Sequence, residues 1–241
     1  MSKTKKIHNR KTWFRGLKCF LKLFVPKPKF VYLGESITKP SIILSNHVGA
    51  SAPVKYELYF KENFRFWGTY EMNSGLKSVY KYLSTVYFHQ KKHKGKFVSK
   101  LIAFFACPFA NLFYKGLNLI STYKDHRFKN TIKESIKTIQ NGQNLIIFPE
   151  DSSKGYFDNL TQFFAGFVVL AKMFYKKGID LPIFVSYYRK KDKTFVIDKP
   201  INFSDLVKTG LNKYEIAKML CNRANALATI DINNIILLKR T

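Results

Sequence analysis

Acidic residues are scarce in this chain. Only 15 Asp and Glu stand against 42 Lys and Arg, for a formal charge of +27 over 241 residues. Such a deficit points to a polyanionic partner, either nucleic acid or an anionic membrane surface. Cysteine is rarer still. Cys19, Cys107 and Cys221 lie far apart with no C-x-x-C spacing, which argues against a disulfide framework and fits a reducing cytoplasm. None sits in a nucleophile motif, so all three read as packing residues. Uninterrupted apolar runs of about 20 residues, the length needed to cross hydrocarbon, are missing. So is the small-residue cleavage site of a secretory signal. The nearest approach to a span is "LIAFFACPFANLFY", Leu101 to Tyr114. Its length and its central Pro108 predict a buried or partly interfacial broken helix rather than a spanning one. Internal repeats and low-complexity segments are absent as well.

What remains is a chain of ordinary hydrophobic content, 46%, long enough to bury a substantial core. Before the first acid, Glu35, ten cations are interleaved with Trp13, Phe14, Leu17, Phe20, Leu21 and Phe24 at helical spacing. Residues 1–29 therefore read as a basic amphipathic segment, with a helix from Trp13 to Val25 suited to an anionic cytoplasmic leaflet. Pro26-Lys27-Pro28 ends it, and residues 30–241 read as the globular domain. Nucleic-acid motifs are not recognisable and the charge is spread along the chain, which favours the membrane over nucleic acid as partner. His89 and His93 sit four apart among four lysines with no third ligand nearby. They read as a solvated face rather than a metal site, and no cofactor is implied.

The globular part alternates strand and helix signals. Ile42 to Ser45 is a short buried strand between Pro40 and Asn46, and "FRFWGTYEM" holds a second. Ile132, Ile136 and Ile139 line a helix that stops at Asn141-Gly142. "NLIIFPED" follows as a strand, "FFAGFVVLAKMFYKKG" as a helix, then "LPIFVSYY" and "TFVIDKPINF" as strands. This order predicts an α/β domain with a mostly parallel sheet flanked by helices. Ligands bind beyond the carboxyl ends of such strands, where Asn46-His47 and Glu150-Asp151-Ser152-Ser153 stand.

"SNH", then "IIFPE", "LPIFV" and "DKPI" in that order, resemble the glycerolipid acyltransferase superfamily, which includes the lysophosphatidic acid acyltransferases. The resemblance covers about Ile42 to Ile201, most of the chain. It implies transfer of a fatty acyl group from a coenzyme A or acyl carrier protein thioester, as co-substrate, to a glycerolipid or lysophospholipid hydroxyl. In the family's N-H-x-x-x-x-D block the histidine, matched by His47, is the general base, and the aspartate orients it. Here that aspartate is replaced by Ala52, and the Gly-Thr-Arg after the family glutamate, matched by Glu150, reads Asp151-Ser152-Ser153. The resemblance thus implies His47 and Asp151 as the catalytic pair, with Glu150 as the other carboxylate able to orient the ring. It implies acceptor binding by Asn46, Glu150 and Ser152, with Lys154, Lys124 or Arg127 in place of the missing arginine. The runner-up expectation is a member of the fold that has lost the reaction and binds anionic lipid or nucleic acid.

Overall fold

The structure, a computed structural model, describes residues 10–232; the lysines before Arg10 lie outside the described residues. In chain order the first elements are α1 (Thr12–Leu21), β1 (Lys29–Tyr32), β2 (Ile42–Ser45), α2 (Ser51–Tyr59) and β3 (Phe64–Thr69). A short 3-10 turn, α3 (Leu76–Lys81), a π-helix (Tyr82–Lys91), α4 (Lys96–Leu117) and β4 (Ile120–Thr122) follow. Then come α5 (Phe128–Gln140), β5 (Asn144–Ile147), α6 (Gly166–Tyr175), β6 (Pro182–Arg189) and β7 (Thr194–Ile197). The last are β8 (Ile201–Asn202), α7 (Phe203–Lys208) and α8 (Lys213–Thr229). As the alternation of signals predicts, the fold is α/β, with the eight described strands in a mixed, mostly parallel sheet flanked by helices.

The described residues pack as two compact units. One comprises the residues up to Pro26, Phe60–Leu145 and Ser153–Gly155; the other comprises Lys27–Tyr59, Ile146–Ser152 and the residues from Tyr156 onward.

In the second unit β2 pairs in parallel with β6, from Ile42 opposite Ile183 to Ser45 opposite Ser186. Antiparallel β7 lies beside β6, and β1 runs parallel to β7. All four residues of β2 are buried, as is β6 up to Tyr188. Strands covered on both faces need continuous apolar runs, which Ile42-Ile43-Leu44 and Ile183-Phe184-Val185 supply. Each such side chain contributes about 1.5–3 kcal/mol by leaving water. Between strand and helix, the Phe195 ring meets Tyr56 at 4.3 Å, Tyr188 at 4.6 Å and Phe30 at 4.9 Å. The Tyr56 hydroxyl donates to Ser186 Oγ at 2.8 Å, and burial raises its pKa, keeping it a neutral donor. The stretch read as one strand, "TFVIDKPINF", is split into β7 and β8 around Asp198-Lys199-Pro200, because Pro200 cannot donate to a ladder. Helix α8 starts at a capping box in which Asn212 and Glu215 satisfy each other's backbone N–H groups.

In the first unit β3 and β4 pair in parallel, Trp67 opposite Ile120. Trp67 Nε1 donates to Ser135 Oγ of α5 at 2.8 Å, which docks that helix. Helix α5 buries Thr131, Ile132, Ser135, Thr138 and Ile139 on one face and ends where Gly142 adopts a left-handed φ of 74°. Two expectations are corrected in this unit. The N-terminal helix ends at Leu21, short of Val25, and is packed on the unit through Phe14, which is fully buried. A Cβ on Gly116 of α4 would fall 1.9 Å from the Phe14 ring, so α1 docks where glycine alone leaves room. Leu101–Tyr114 is not a short broken helix. It lies within the 22-residue α4, which continues through Pro108 and is long and apolar enough, by length and composition alone, to cross a membrane. Pro108, exposed, withholds one N–H from the ladder, and the helix continues on both sides of it.

Candidate functional site

The site is built where β2 runs out. Asn46, one residue past the strand and 1% exposed, turns its amide back onto β6. Its Nδ2 donates to the Tyr188 carbonyl at 3.1 Å and its Oδ1 accepts from the Tyr188 N–H at 2.6 Å. The side chain thereby prolongs the strand pairing and fixes where the following residue leaves the sheet. Both ends of the amide of Asn46, expected at the substrate, hold backbone.

His47 follows, half-buried, and the chain then turns through two left-handed residues, Val48 at φ 46° and Gly49 at φ 64°. Glycine adopts that conformation freely. A β-branched valine does not, and strain of this kind costs about 1–3 kcal/mol. The turn brings the Gly49 carbonyl onto His47 Nδ1. A carbonyl can only accept, so Nδ1 carries the proton and, in the neutral ring, Nε2 keeps its lone pair. Phe148 and Tyr156 flank the imidazole, with ring centroids at 4.9 and 5.3 Å. The ring is therefore oriented by a carbonyl and two aromatic faces.

The second loop enters after β5, at Phe148-Pro149-Glu150. Backbone bonds from Phe164 N–H to the Pro149 carbonyl (2.7 Å) and from Asp151 N–H to the Gln162 carbonyl (2.9 Å) hold it against the segment before α6. Glu150 is buried, and its Oε2 accepts from the His47 backbone N–H at 3.0 Å. The two loops adjoin, as the resemblance implies, but the carboxylate grips the His47 backbone at that atom. Through that oxygen Glu150 positions the His47 loop. At Nδ1 the ring meets the Gly49 carbonyl, while Asp151 stands in the adjoining loop. That contact is local: a left-handed turn returns the carbonyl two residues on to the ring. Asp151 is half-buried and Ser152 buried in the same turn. Ala52, at the family aspartate's position, is completely buried in α2.

One buried cation of this unit escaped the sequence reading. Lys55, on α2, donates to Ser51 Oγ at 3.2 Å and lies 5.4 Å from the Tyr188 ring. Burial, with a smaller effect from Lys193, lowers its pKa. Its signal was only the four-residue spacing from Ser51, too common to single out. Tyr156 had no signal at all, since nothing local ties it to His47.

The cations expected to bind phosphate all belong to the first unit. Arg127 is already held. Its guanidinium pairs with Asp125, Nε at 3.0 Å and Nη2 at 2.7 Å, and lies over Tyr123 (4.5 Å) and Tyr70 (5.0 Å). The Arg127 hydrogen bonds pull the Asp125 pKa down to about 2. Arg127, expected as a phosphate ligand, thus already carries a carboxylate partner. Lys124 is exposed, as is Lys154, whose carbonyl receives His93 Nε2 at 3.1 Å. His89 Nδ1 meets the Lys94 carbonyl at 2.7 Å. Among the described residues no group of three or more His, Cys, Asp or Glu side chains could hold a metal ion.

No family model matches this chain, and no curated protein matches it. Chemically, the second unit offers one half-exposed imidazole of fixed tautomer at the carboxyl end of a parallel strand, the position from which α/β proteins work on ligands. Such a group can take a proton from a hydroxyl placed at Nε2.

Proposed function

We propose that the chain is an acyltransferase that moves a fatty acyl group from a thioester to a hydroxyl of a lysophospholipid or related glycerolipid, with His47 as general base. The observation that carries this reading is the clamped histidine: Gly49 fixes its tautomer and Glu150 fixes its backbone. Nε2 takes the proton of the acceptor hydroxyl as its oxygen attacks the thioester carbonyl carbon. The tetrahedral intermediate then expels the thiolate, which recovers the proton from the imidazolium. The new ester forms as the C–S bond breaks, and no oxidant or reductant is needed. A positioned base contributes about 10²–10⁴ in rate. Incubation with acyl-coenzyme A and lysophosphatidic acid, read by release of free thiol and by lipid product, tests the proposal. His47→Ala is expected to abolish transfer with the fold intact. Equal turnover by the variant overturns it.

The second reading is an acyltransferase-like fold without the reaction. Asn46 and Glu150, both expected at the substrate, are bonded to backbone, and Ala52 stands fully buried where an orienting acid is expected. Absence of thioester turnover by the parent chain across donors of different chain length favours this reading.

A further inference from the structure

Helix α4 is arranged inside out. Its inner face is small: Ser99, Ala103 and Cys107 are buried, and Ala103 and Cys107 pack with Val79 and Leu83 of the preceding helices. The bulky residues face away. Phe97, Phe104, Phe105 and Phe109 are 78%, 67%, 66% and 77% exposed, and Leu101 and Leu112 continue the same stripe. From Phe97 to Leu112 the stripe runs ~22 Å at 1.5 Å per residue. A core helix of similar composition would be covered by its own protein, yet only 17% of the most apolar stretch of α4 is buried. Helix α1, docked on α4 through Phe14 against Phe113 (5.5 Å) and Gly116, adds exposed Trp13 and Phe20, and the turn after it adds exposed Phe24.

We infer that the outer faces of α4 and α1 form a docking surface for a lipid bilayer bearing anionic headgroups. Charge decides between a bilayer and a purely apolar partner. Exposed Lys96 and Lys100 stand at the amino end of the stripe and exposed Lys115 at its carboxyl end. Lysines so placed extend to headgroups while the rings between them enter the acyl boundary. The helix lies along the surface rather than across it. Spanning would carry its packed neighbours, with exposed Lys77, Lys81 and Lys92, into hydrocarbon, where ammonium groups are strongly disfavoured. This inference does not depend on the chemistry proposed for His47.

The experiment is flotation of the full chain with phosphatidylcholine vesicles, with and without phosphatidylglycerol. The parent chain is expected to float with the anionic vesicles. The combined Phe104→Ser, Phe105→Ser, Phe109→Ser variant is expected to lose partitioning about tenfold or more, since each ring removes apolar area from the contact. Combined Lys96→Glu, Lys100→Glu and Lys115→Glu substitutions are expected to abolish the preference for phosphatidylglycerol. A Phe105→Trp chain read against lipids brominated on the acyl chains gives a second measurement that needs no loss of residues. Quenching of the added tryptophan supports insertion. Absence of quenching overturns the inference, as does equal flotation of the serine variant. Concentration-dependent self-association of the parent chain without lipid, lost in the serine variant, would instead assign the face to a second copy and also overturn it.

Discussion

Glu150 is the residue whose removal separates the two loops of the site. Its buried carboxylate accepts the His47 backbone N–H over 3.0 Å. Glu150→Ala leaves that donor without its charged acceptor. A hydrogen bond to an ionised group contributes about 1.5–3 kcal/mol, and part of that is regained because a buried carboxylate no longer has to be desolvated. The net expected loss is about 1–2 kcal/mol. In a chain of this size each kcal/mol moves Tm by ~2–4 °C, so a fall of about 5 °C is expected. Glu150→Gln keeps an acceptor oxygen at the same reach and loses only the charge, so about half the effect is expected. Catalysis is expected to suffer more than stability. A displacement of the imidazole by ~1 Å can cost about 10² in rate, with the thioester KM little changed. The assay pairs thermal denaturation followed by near-ultraviolet circular dichroism with initial rates of thiol release. The expected order in both is parent, Gln, Ala. An alanine variant with the parent's Tm and rate refutes the claim that this carboxylate holds the His47 loop.

Two further outcomes follow from the same unit. Val48 holds a left-handed φ of 46°, which asparagine tolerates better than a β-branched residue. Val48→Asn is therefore expected to raise stability by about 1 kcal/mol in denaturant titration, and a destabilised variant would show that valine's packing outweighs its strain. Burial lowers the Lys55 pKa in the folded chain below its ordinary 10.5, so between those two values the unfolded chain binds more protons. Stability then rises with pH across that window, and the full penalty is present below it. Lys55→Met is expected to be more stable than the parent at neutral pH, with the advantage narrowing toward pH 10.5. A stability difference that stays constant over this range would show that the lysine is not desolvated.

Much of the fold was legible in local pattern. Ile42 to Ser45 was bounded by Pro40 and Asn46 and forms β2 over the same residues. The isoleucine spacing and Gly142 framed α5 and its end. Pro108 reads locally as a breaker, yet α4 runs through it: proline removes one backbone donor, and the turns on either side keep the helix continuous. Helix α8 gave no clear apolar stripe to read. Its start is set by Asn212 and Glu215, a short signal that gains meaning only when a helix is known to follow.

By itself, then, the sequence determined the apolar strands, the order of strand and helix, the cationic surface and the histidine placed just past a strand end. These depend on periodicity and on residue preferences within a few positions. Only the tertiary structure decided what each polar group does. Asn46 meets Tyr188 across 142 residues of chain, and Glu150 meets His47 across 103. Whether an amide or a carboxylate faces substrate or backbone depends on which loop closes against it and at what angle. Even the local Gly49 contact rests on two left-handed residues, one of them a valine that its intrinsic preference would place elsewhere. The exposed phenylalanines were decided in the same way. An apolar helical stripe looks alike in sequence whether it faces a core or the outside, and only the packing of the small opposite face of α4 shows which way it points.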